Sequence, residues 1–271
     1  MSNSRFGLRT RTGQISSIIQ GQYAPSNDLD AQAFINAAGI TGATQQSAIN
    51  TLVVSLKTNN IWTKLDAIYP MVGGTATTHK FNLKNPADTN VAYRLSFVGG
   101  WTHSSTGALP NGTNAYADTF WLSSQQNSAS VSFYSRTNNT GLFHEFGAGI
   151  IPSTYMLLRY NDLFYGSLNA SSDNTVANTN STGHYLITRT ASNVIKFFKN
   201  SGVTVNSTAV STGIPNVNMI ISAWRQDPST VIRYSNRECA FATLGTGLND
   251  TESANLYTAI QAFQTTLGRQ V

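Results

Sequence analysis

The sequence predicts a mainly β protein in which two antiparallel sheets form a sandwich, with small N-terminal helices and a C-terminal amphipathic helix. Downstream of Gly73-Gly74, apolar and polar residues alternate with a period of two. Turn residues follow at short intervals with no helical pattern between them. Only 11% of the 271 residues are charged, whereas 29 Ser, 33 Thr and 27 Asn supply a neutral polar surface. This composition is unlike that of a disordered chain or of a long-helix protein.

Residues 1–26 are expected to form an extended N-terminal arm, because they are polar and Gly-punctuated with a weak apolar cluster. The three arginines of this arm precede the first acidic residue, Asp28, so an electrostatic partner would meet the chain here. The candidate assembly and anchor residues are Arg5, Arg9, Arg11, Ile15 and Ile18. The alternative is a solvated tail.

Residues 27–72 are expected to form a small helical attachment region. Asn27 or Asp28 can cap a first helix that Gly39 ends, and Thr41 can cap a second that stops at Asn59-Asn60. A third helix is predicted over 62–69, where Leu65 and Ile68 lie three residues apart before Pro70. Helices this short are unstable alone in water, so they must dock on this chain's own β domain or on a neighbouring subunit.

Residues 73–271 are predicted to form the β-sandwich domain. Its strands are expected at 79–83, 92–97, 130–135, 155–160, 184–189, 194–199 and 218–224. Cys239 is the single cysteine, which excludes an internal disulfide. Its apolar neighbours predict that it is a small apolar residue of a strand. The closing helix has a capping box at Asn249 and Glu252, followed by apolar residues at helical spacing up to Leu267.

Candidate binding residues cluster in 101–118, which is expected to be one long connection between strands. Aromatic faces pack against sugar C–H groups, and amides or carboxylates bind hydroxyls, so this segment is a candidate glycan or receptor site. The candidates are Trp101, His103, Asn111, Asn114, Tyr116 and Asp118. The alternative is that Trp101 inserts into the sandwich. A second polar run, 169–182, is either another binding surface or a solvated loop tip.

No motif for catalysis or for a cofactor is present, so the expectation is a non-enzymatic protein without a metal. Glycoside hydrolysis needs a pair of acids flanking the sugar bond, and the nearest acid pairs, Asp28 with Asp30 and Asp250 with Glu252, are explained by helix starts. The four histidines are widely spread, and no nucleophile elbow or phosphate-binding loop occurs. A net charge of +5 is a modest excess that argues against nucleic acid. No apolar run approaches a membrane span.

Two resemblances extend this interpretation. The strand Glu238–Gly245, followed by the Leu248–Glu252 turn and helix start, resembles the end of laminin-G-like domains in the concanavalin A-like lectin/glucanase superfamily. Much of the chain from residue 28 onward also resembles bacteriophage virion, tail and fibre proteins. That second resemblance is carried by 48–53, 61–64, 69–76, 79–84, 99–113 and 261–269.

The resemblances imply a jelly-roll, concanavalin A-like sandwich in a virion protein, with no catalytic residues to transfer. The resulting hypothesis is a spike or fibre subunit that is anchored by its N-terminal region, contacts other virion proteins and presents a lectin-like domain to host-surface glycans. It would be assembled in the host cytoplasm as a homo-oligomer, by resemblance a trimer. The alternative hypothesis is a carbohydrate-binding module, and a third, less favoured hypothesis is a polysaccharide depolymerase.

Overall fold

The computed structural model describes residues 27–271, arranged as a layer of helices, a first sheet (sheet A) and a second sheet (sheet B). The helices are α1 (Leu29–Ala38), α2 (Ala43–Thr58), α3 (Ala76–His79) and α4 (Asp250–Thr266). The strands are β1 (Leu65–Tyr69), β2 (Ser96–Val98), β3 (Trp101–Ser104), β4 (Gly107–Pro110), β5 (Tyr116–Asp118), β6 (Ala129–Ser135), β7 (Phe146–Ala148), β8 (Ser153–Tyr160), β9 (Leu163–Ala170), β10 (Asn174–Ala177), β11 (Gly183–Ala191), β12 (Val194–Lys199), β13 (Gly202–Ser207), β14 (Ile220–Ile221), β15 (Trp224–Arg225), β16 (Val231–Ile232) and β17 (Cys239–Gly245).

The expected mainly β, antiparallel sandwich is confirmed. Sheet A has the strand order β13-β12-β11-β6-β17-β4-β3, with β1 also paired to β17. Sheet B has the order β10-β9-β8-β7-β14-β5-β2, and the β15–β16 hairpin joins it at β7. Within residues 27–271, the strand pairs are antiparallel except for the single Arg225–Ala148 pair between β15 and β7. None of the helices in this range has the length and apolar character that a membrane-spanning segment needs.

The space between the two sheets is filled by aromatic and aliphatic side chains from both. Phe133 of sheet A meets Phe146 of sheet B edge to face, with 6.1 Å between ring centroids. Gly166 of β9 lies so close to sheet A that a Cβ there would fall 2.3 Å from Ile187 Cδ1. The close approach of the sheets therefore requires glycine at this position.

The other face of sheet A is covered by α1, α2 and α4. Phe241 of β17 contacts Phe263 of α4, with 5.7 Å between ring centroids, and both belong to one buried apolar cluster that includes residues of α1 and α2. The short helices are expected to dock on this chain's own β domain or on a neighbouring subunit. In the structure they pack on the β domain of the same chain. The division of the chain at residues 72 and 73 stays a prediction, and the arm 1–26 with its anchor candidates lies outside the described residues.

Of the predicted N-terminal capping signals, those of α1 and α4 are confirmed and that of α2 is wrong. Asn249 accepts a hydrogen bond from the Glu252 backbone N–H and Glu252 accepts one from that of Asn249, each at 2.9 Å, which confirms the capping box of α4. Asp28 caps α1, and Gly39 ends it with φ 64°. The N-cap of α2 is Gly42 and not Thr41.

The predicted third helix over 62–69 is wrong. A short 3-10 turn, Trp62–Lys64, leads into β1, which pairs with β17. A β-bulge between Leu65 and Ala67 lets Leu65 and Ile68 face the helical layer together, although they are three residues apart. The bulge thus produced a spacing that imitates a helix.

Three predicted strands are also corrected. At 79–83, His79 is the last residue of α3, which a capping box between Thr75 and Thr78 starts, and no strand forms at 80–83. The strand expected at 92–97 is confined to β2. The one expected at 218–224 is split into β14 and β15, because Ser222 adopts a left-handed conformation with φ 68°. The strands predicted at 130–135, 155–160, 184–189 and 194–199 are confirmed.

Candidate functional site

The segment 101–118 is not the long connection that was expected. Strands β3 and β4 form a hairpin of sheet A, with Trp101 opposite Pro110 and His103 opposite Ala108. Residues 111–115 then cross to sheet B, where β5 pairs with β2 and β14. The six candidate residues are therefore distributed over two sheets and a short crossing.

Trp101 is held by the protein itself. Its indole N–H donates to the carbonyls of Val98 at 3.0 Å and Tyr116 at 3.3 Å. The half-buried ring packs against the sandwich core and meets Phe97 with 5.1 Å between centroids. This arrangement matches the alternative in which Trp101 inserts into the sandwich.

His103 pairs with a histidine from another part of the chain. Its Nδ1 lies 2.9 Å from Nδ1 of the buried His79, whose Nε2 accepts a hydrogen bond from the Gly74 N–H at 3.1 Å. This network assigns the Nδ1 proton to His79. Burial lowers the pKa of His79 to about 3 and also lowers the pKa of His103, so both rings are neutral at pH 7. Among residues 27–271, no group of three or more His, Cys, Asp or Glu side chains is placed to hold a metal.

Asn111 and Asn114 are bonded mainly to each other. The Asn111 side-chain amide donates to Asn114 Oδ1 at 2.7 Å, and Asn111 Oδ1 accepts from the backbone N–H groups of Thr113 and Asn114. Such Asx-type bonds stabilise a tight crossing. They also engage most of the hydrogen-bonding groups that a ligand would use.

Tyr116 and Asp118 lie on the outer face of sheet B. They are two residues apart on β5, and Ala117 between them points into the sandwich core. Asp118 forms one wall of an open groove of about 310 Å³, which we call the sheet-B groove. Its other lining residues are Asn216, Val217, Asn218, Arg225 and Pro228.

Two of the residues that line this groove form an ion pair. An Arg225 Nη lies 2.8 Å from Asp118 Oδ2, and the two side chains are 11% and 15% exposed. The Arg225 guanidinium also lies 5.8 Å from the centroid of the Tyr116 ring. Among the described residues, the side-chain amides of Asn216 and Asn218 have no hydrogen-bond partner, although the Asn218 carbonyl accepts from Arg225. The groove therefore offers free amides, a fixed ion pair and an adjacent aromatic ring.

Of the residues that line or adjoin the sheet-B groove, Tyr116 and Asp118 are among the sequence candidates, whereas Arg225, Asn216 and Asn218 are not. A signal existed in the alternation of Asn216 and Asn218 with the buried Val217 and Met219, which indicates outward-facing amides. What the sequence could not supply was the register that places Ile220 opposite Asp118 across more than 100 residues of chain.

The second polar run, 169–182, is exposed at half of its positions, including 171–173, but three of its four asparagines, Asn169, Asn174 and Asn178, are buried. Asn169 is fully buried and its amide nitrogen donates to the carbonyls of Gln125 and Gln126 at 3.1 Å. Asn178 donates to the Leu158 carbonyl at 2.6 Å. The expectation of a solvated tip or binding surface is wrong for these amides, because they satisfy buried backbone carbonyls.

Comparison with solved structures places the fold among known β-sandwich proteins. A mutant sialidase of Trypanosoma rangeli that displays trans-sialidase activity aligns with a TM-score of 0.51 at 11% identity, covering 80% of this chain and 39% of that one. Domain 4 of an extracellular arabinanase from Geobacillus stearothermophilus, solved with arabinotriose, aligns at 0.44 and 16% identity over 71% of this chain and 98% of that one. The botulinum neurotoxin serotype G binding domain aligns at 0.47 and 11% identity over 72% and 50%.

At 11% identity the similarity to the sialidase shows the fold alone, and nothing further is concluded from the two with TM-scores below 0.5. The chain spans 39% of the sialidase and 50% of the neurotoxin domain, less than two thirds of either. No protein-family model and no curated protein matches the sequence.

Proposed function

We propose that this protein binds glycans in the sheet-B groove without hydrolysing them. We also propose that it does so as an attachment protein of a bacteriophage particle. The observation that carries the binding proposal is the groove itself, in which Asp118, Arg225, Asn216 and Asn218 surround an open cleft beside Tyr116.

The groove suits an uncharged sugar. Hydroxyl groups both donate and accept hydrogen bonds, so they can use the Asn216 and Asn218 amides together with the remaining capacity of Asp118 and Arg225. The partly exposed Tyr116 ring offers a face for sugar C–H groups. Because Asp118 and Arg225 neutralise each other, the groove carries no net charge to attract an acidic sugar.

Binding without hydrolysis is supported by the charges in the groove. Asp118 is the acidic member of its lining, and its close partner is the Arg225 cation instead of a second carboxylate. Glycoside hydrolases generally use two carboxyl groups on either side of the scissile bond. A groove with one ion-paired carboxylate lacks that arrangement.

A glycan array followed by titration calorimetry tests the binding proposal. We expect neutral glycans to bind, and Tyr116→Ala to weaken binding at least tenfold through loss of the stacking face, equivalent to about 1.4 kcal/mol. Tyr165→Ala is the matched control, since Tyr165 lies on the outer face of β9 away from the groove. An array without any bound glycan, or equal losses in the two variants, would contradict the proposal.

The particle role rests on the resemblance to phage structural proteins and on the neutral polar surface. Neutral amides and hydroxyls let many copies lie close together without charge repulsion, as a spike or fibre subunit requires. Electron microscopy of purified particles with antibody against residues 73–271 should label a projection, and light scattering should show a trimer. Particles that lack the protein would contradict this role while leaving glycan binding intact.

A further inference from the structure

A second open groove of about 340 Å³ lies beside β1, away from the sheet-B groove. We call it the β1 groove; its lining includes Thr63, Asp66, Lys84, Asn85 and Tyr93. One wall is the start of β1, and the other is the segment that follows α3. It shares no lining residue with the sheet-B groove.

The groove contains a carboxylate without a cationic partner. Asp66 Oδ2 accepts a hydrogen bond from the Trp121 indole N–H at 2.8 Å, but within residues 27–271 no Lys, Arg or His nitrogen lies within 4.0 Å of the Asp66 carboxylate. All twelve Asp and Glu side chains lie within residues 27–271, and nine of them form such ion pairs there; the other three are Asp66, Asp173 and Asp227. Of these three, Asp66 is the one that lines the β1 groove, where its carboxylate keeps accepting capacity.

The same groove contains an ammonium group without a carboxylate partner. Lys84 Nζ donates to the Trp62 carbonyl at 2.7 Å and lies 4.1 Å from the centroid of the Trp62 ring. No carboxylate oxygen of residues 27–271 lies within 4.0 Å of it. Burial lowers the pKa of Lys84, while the charges of Asp30 and Asp66 act in the opposite direction and Lys57 acts with burial. Asp66 and Lys84 thus line one cleft with opposite charges that are too far apart to satisfy each other.

Tyr93 supplies an aromatic wall in an uncommon backbone conformation. Its φ of 57° lies in the left-handed region, and the Tyr69 hydroxyl donates to its carbonyl at 2.6 Å. Non-glycine residues in this region carry a conformational cost and persist where the surroundings hold them. Here the hydrogen bond from a buried tyrosine fixes Tyr93, and its partly exposed ring lines the groove.

We infer that the β1 groove is a second saccharide-binding site, for a neutral sugar with adjacent hydroxyl groups. One hydroxyl donates to the Asp66 carboxylate, the neighbouring hydroxyl accepts from the Lys84 ammonium, and the C–H face of the ring lies on Tyr93. A vicinal diol satisfies both charges without bringing a charge of its own. The inference rests on the proposed function, and two separate sites would let one molecule engage a polysaccharide at two points.

Amide NMR spectra of the full chain, titrated with methyl glycosides of glucose, galactose, mannose and N-acetylglucosamine, distinguish the two grooves. We expect one set of shifts near Tyr116 and Asn218 and a second set near Lys84 and Tyr93. Asp66→Asn should abolish the second set and leave the first, because asparagine keeps the acceptor for Trp121 but loses the charge. Asp88→Asn is the matched control, since Asp88 pairs with Lys80 and Arg94 outside the groove.

The outcomes separate this inference from the proposed function. Shifts confined to the sheet-B groove, or a second set unchanged in Asp66→Asn, would overturn the second site and leave the first standing. Shifts confined to the β1 groove and lost in Asp66→Asn would support the second site and refute the sheet-B groove. No shifts with any of the four glycosides would overturn both.

Discussion

Sheets A and B are both antiparallel, yet their surroundings differ. Sheet A is buried on one face by sheet B and on the other by α1, α2 and α4. Sheet B packs one face against sheet A, and its outer face carries Tyr116, Asp118 and Tyr165 toward the surface. The central strands β6 and β17 of sheet A are therefore buried on both faces, whereas part of the outer face of sheet B, with Tyr116, Asp118 and Tyr165, is open to a ligand. Substitutions in the two sheets should accordingly affect different properties.

The largest effect is expected beneath the helical layer. Phe241→Ala removes a fully buried ring that contacts Phe263, and should lower the free energy of unfolding by about 3–5 kcal/mol. Thr175→Ala, at an exposed position of β10 in sheet B, should change it by less than about 0.5 kcal/mol. Urea unfolding of both variants measures the two changes in the free energy of unfolding. Similar decreases in both variants would contradict the expected difference between the two sheets.

Acidification is expected to destabilise the fold through its buried histidines. Burial lowers the pKa of His184, on β11 of sheet A, and of His79 to about 3 each, and lowers that of His144 well below its usual value. In the unfolded chain histidine titrates near pH 6.5, so between pH 6.5 and 3 the unfolded state takes up protons that the folded state does not. At pH 5 this should cost about 2 kcal/mol for each of His79 and His184 relative to pH 7.

Urea unfolding at pH 7 and pH 5 checks this expectation. The His184→Gln variant should lose less stability over the same interval, because it lacks one of the titrating groups. Equal unfolding free energies at the two pH values would mean that the histidines are not held neutral by the fold.

A smaller effect is expected on binding at the outer face of sheet B. Asn218→Ala removes an amide that lines the groove and should weaken glycan binding about tenfold, near 1.4 kcal/mol, with little change in melting temperature. Asn111→Ala should leave binding unchanged, because Asn111 is engaged with Asn114. Calorimetric titration measures the glycan affinity of both variants. Weaker binding by Asn111→Ala, with unchanged binding by Asn218→Ala, would indicate that the site lies at the crossing 111–115 and not in the groove.

The smallest effect is expected at the start of α4, which covers sheet A. Asn249→Ala removes the acceptor for the Glu252 N–H and should cost about 1 kcal/mol of stability. Asn249→Asp keeps an acceptor at this position and should retain most of that stability. Thermal unfolding of the two variants measures the difference, and equal melting temperatures would show that the cap does not support the helical layer.

The parts of the fold that were predictable are those specified by neighbouring residues. The capping box and apolar spacing of α4 are local, and so is the alternation in β11 and β12. The β1 error arose because a bulge gave a strand the spacing of a helix, and the short β14 and β15 arose because Ser222 turns the chain. Bulges and left-handed residues are stabilised by tertiary contacts, which a local pattern does not contain.

The candidate site was half predictable for the same reason. Tyr116 and Asp118 could be selected by residue type, but Arg225, Asn216 and Asn218 join them only through the pairing of β5 with β14. Trp101 is an aromatic residue of the kind that binds sugars, yet its indole N–H already donates hydrogen bonds to the carbonyls of Val98 and Tyr116. Residue type indicated the chemistry, and strand register decided which groups remained free for a ligand.

A crystal structure of the full chain soaked with the best-binding glycan of the array would test the central claim most directly. We predict a sugar ring beside Tyr116, with hydroxyl groups within hydrogen-bond distance of Asn218 and the Asp118–Arg225 pair. A sugar bound instead at Trp101 and His103, with the sheet-B groove empty, would contradict the assignment of recognition to this face.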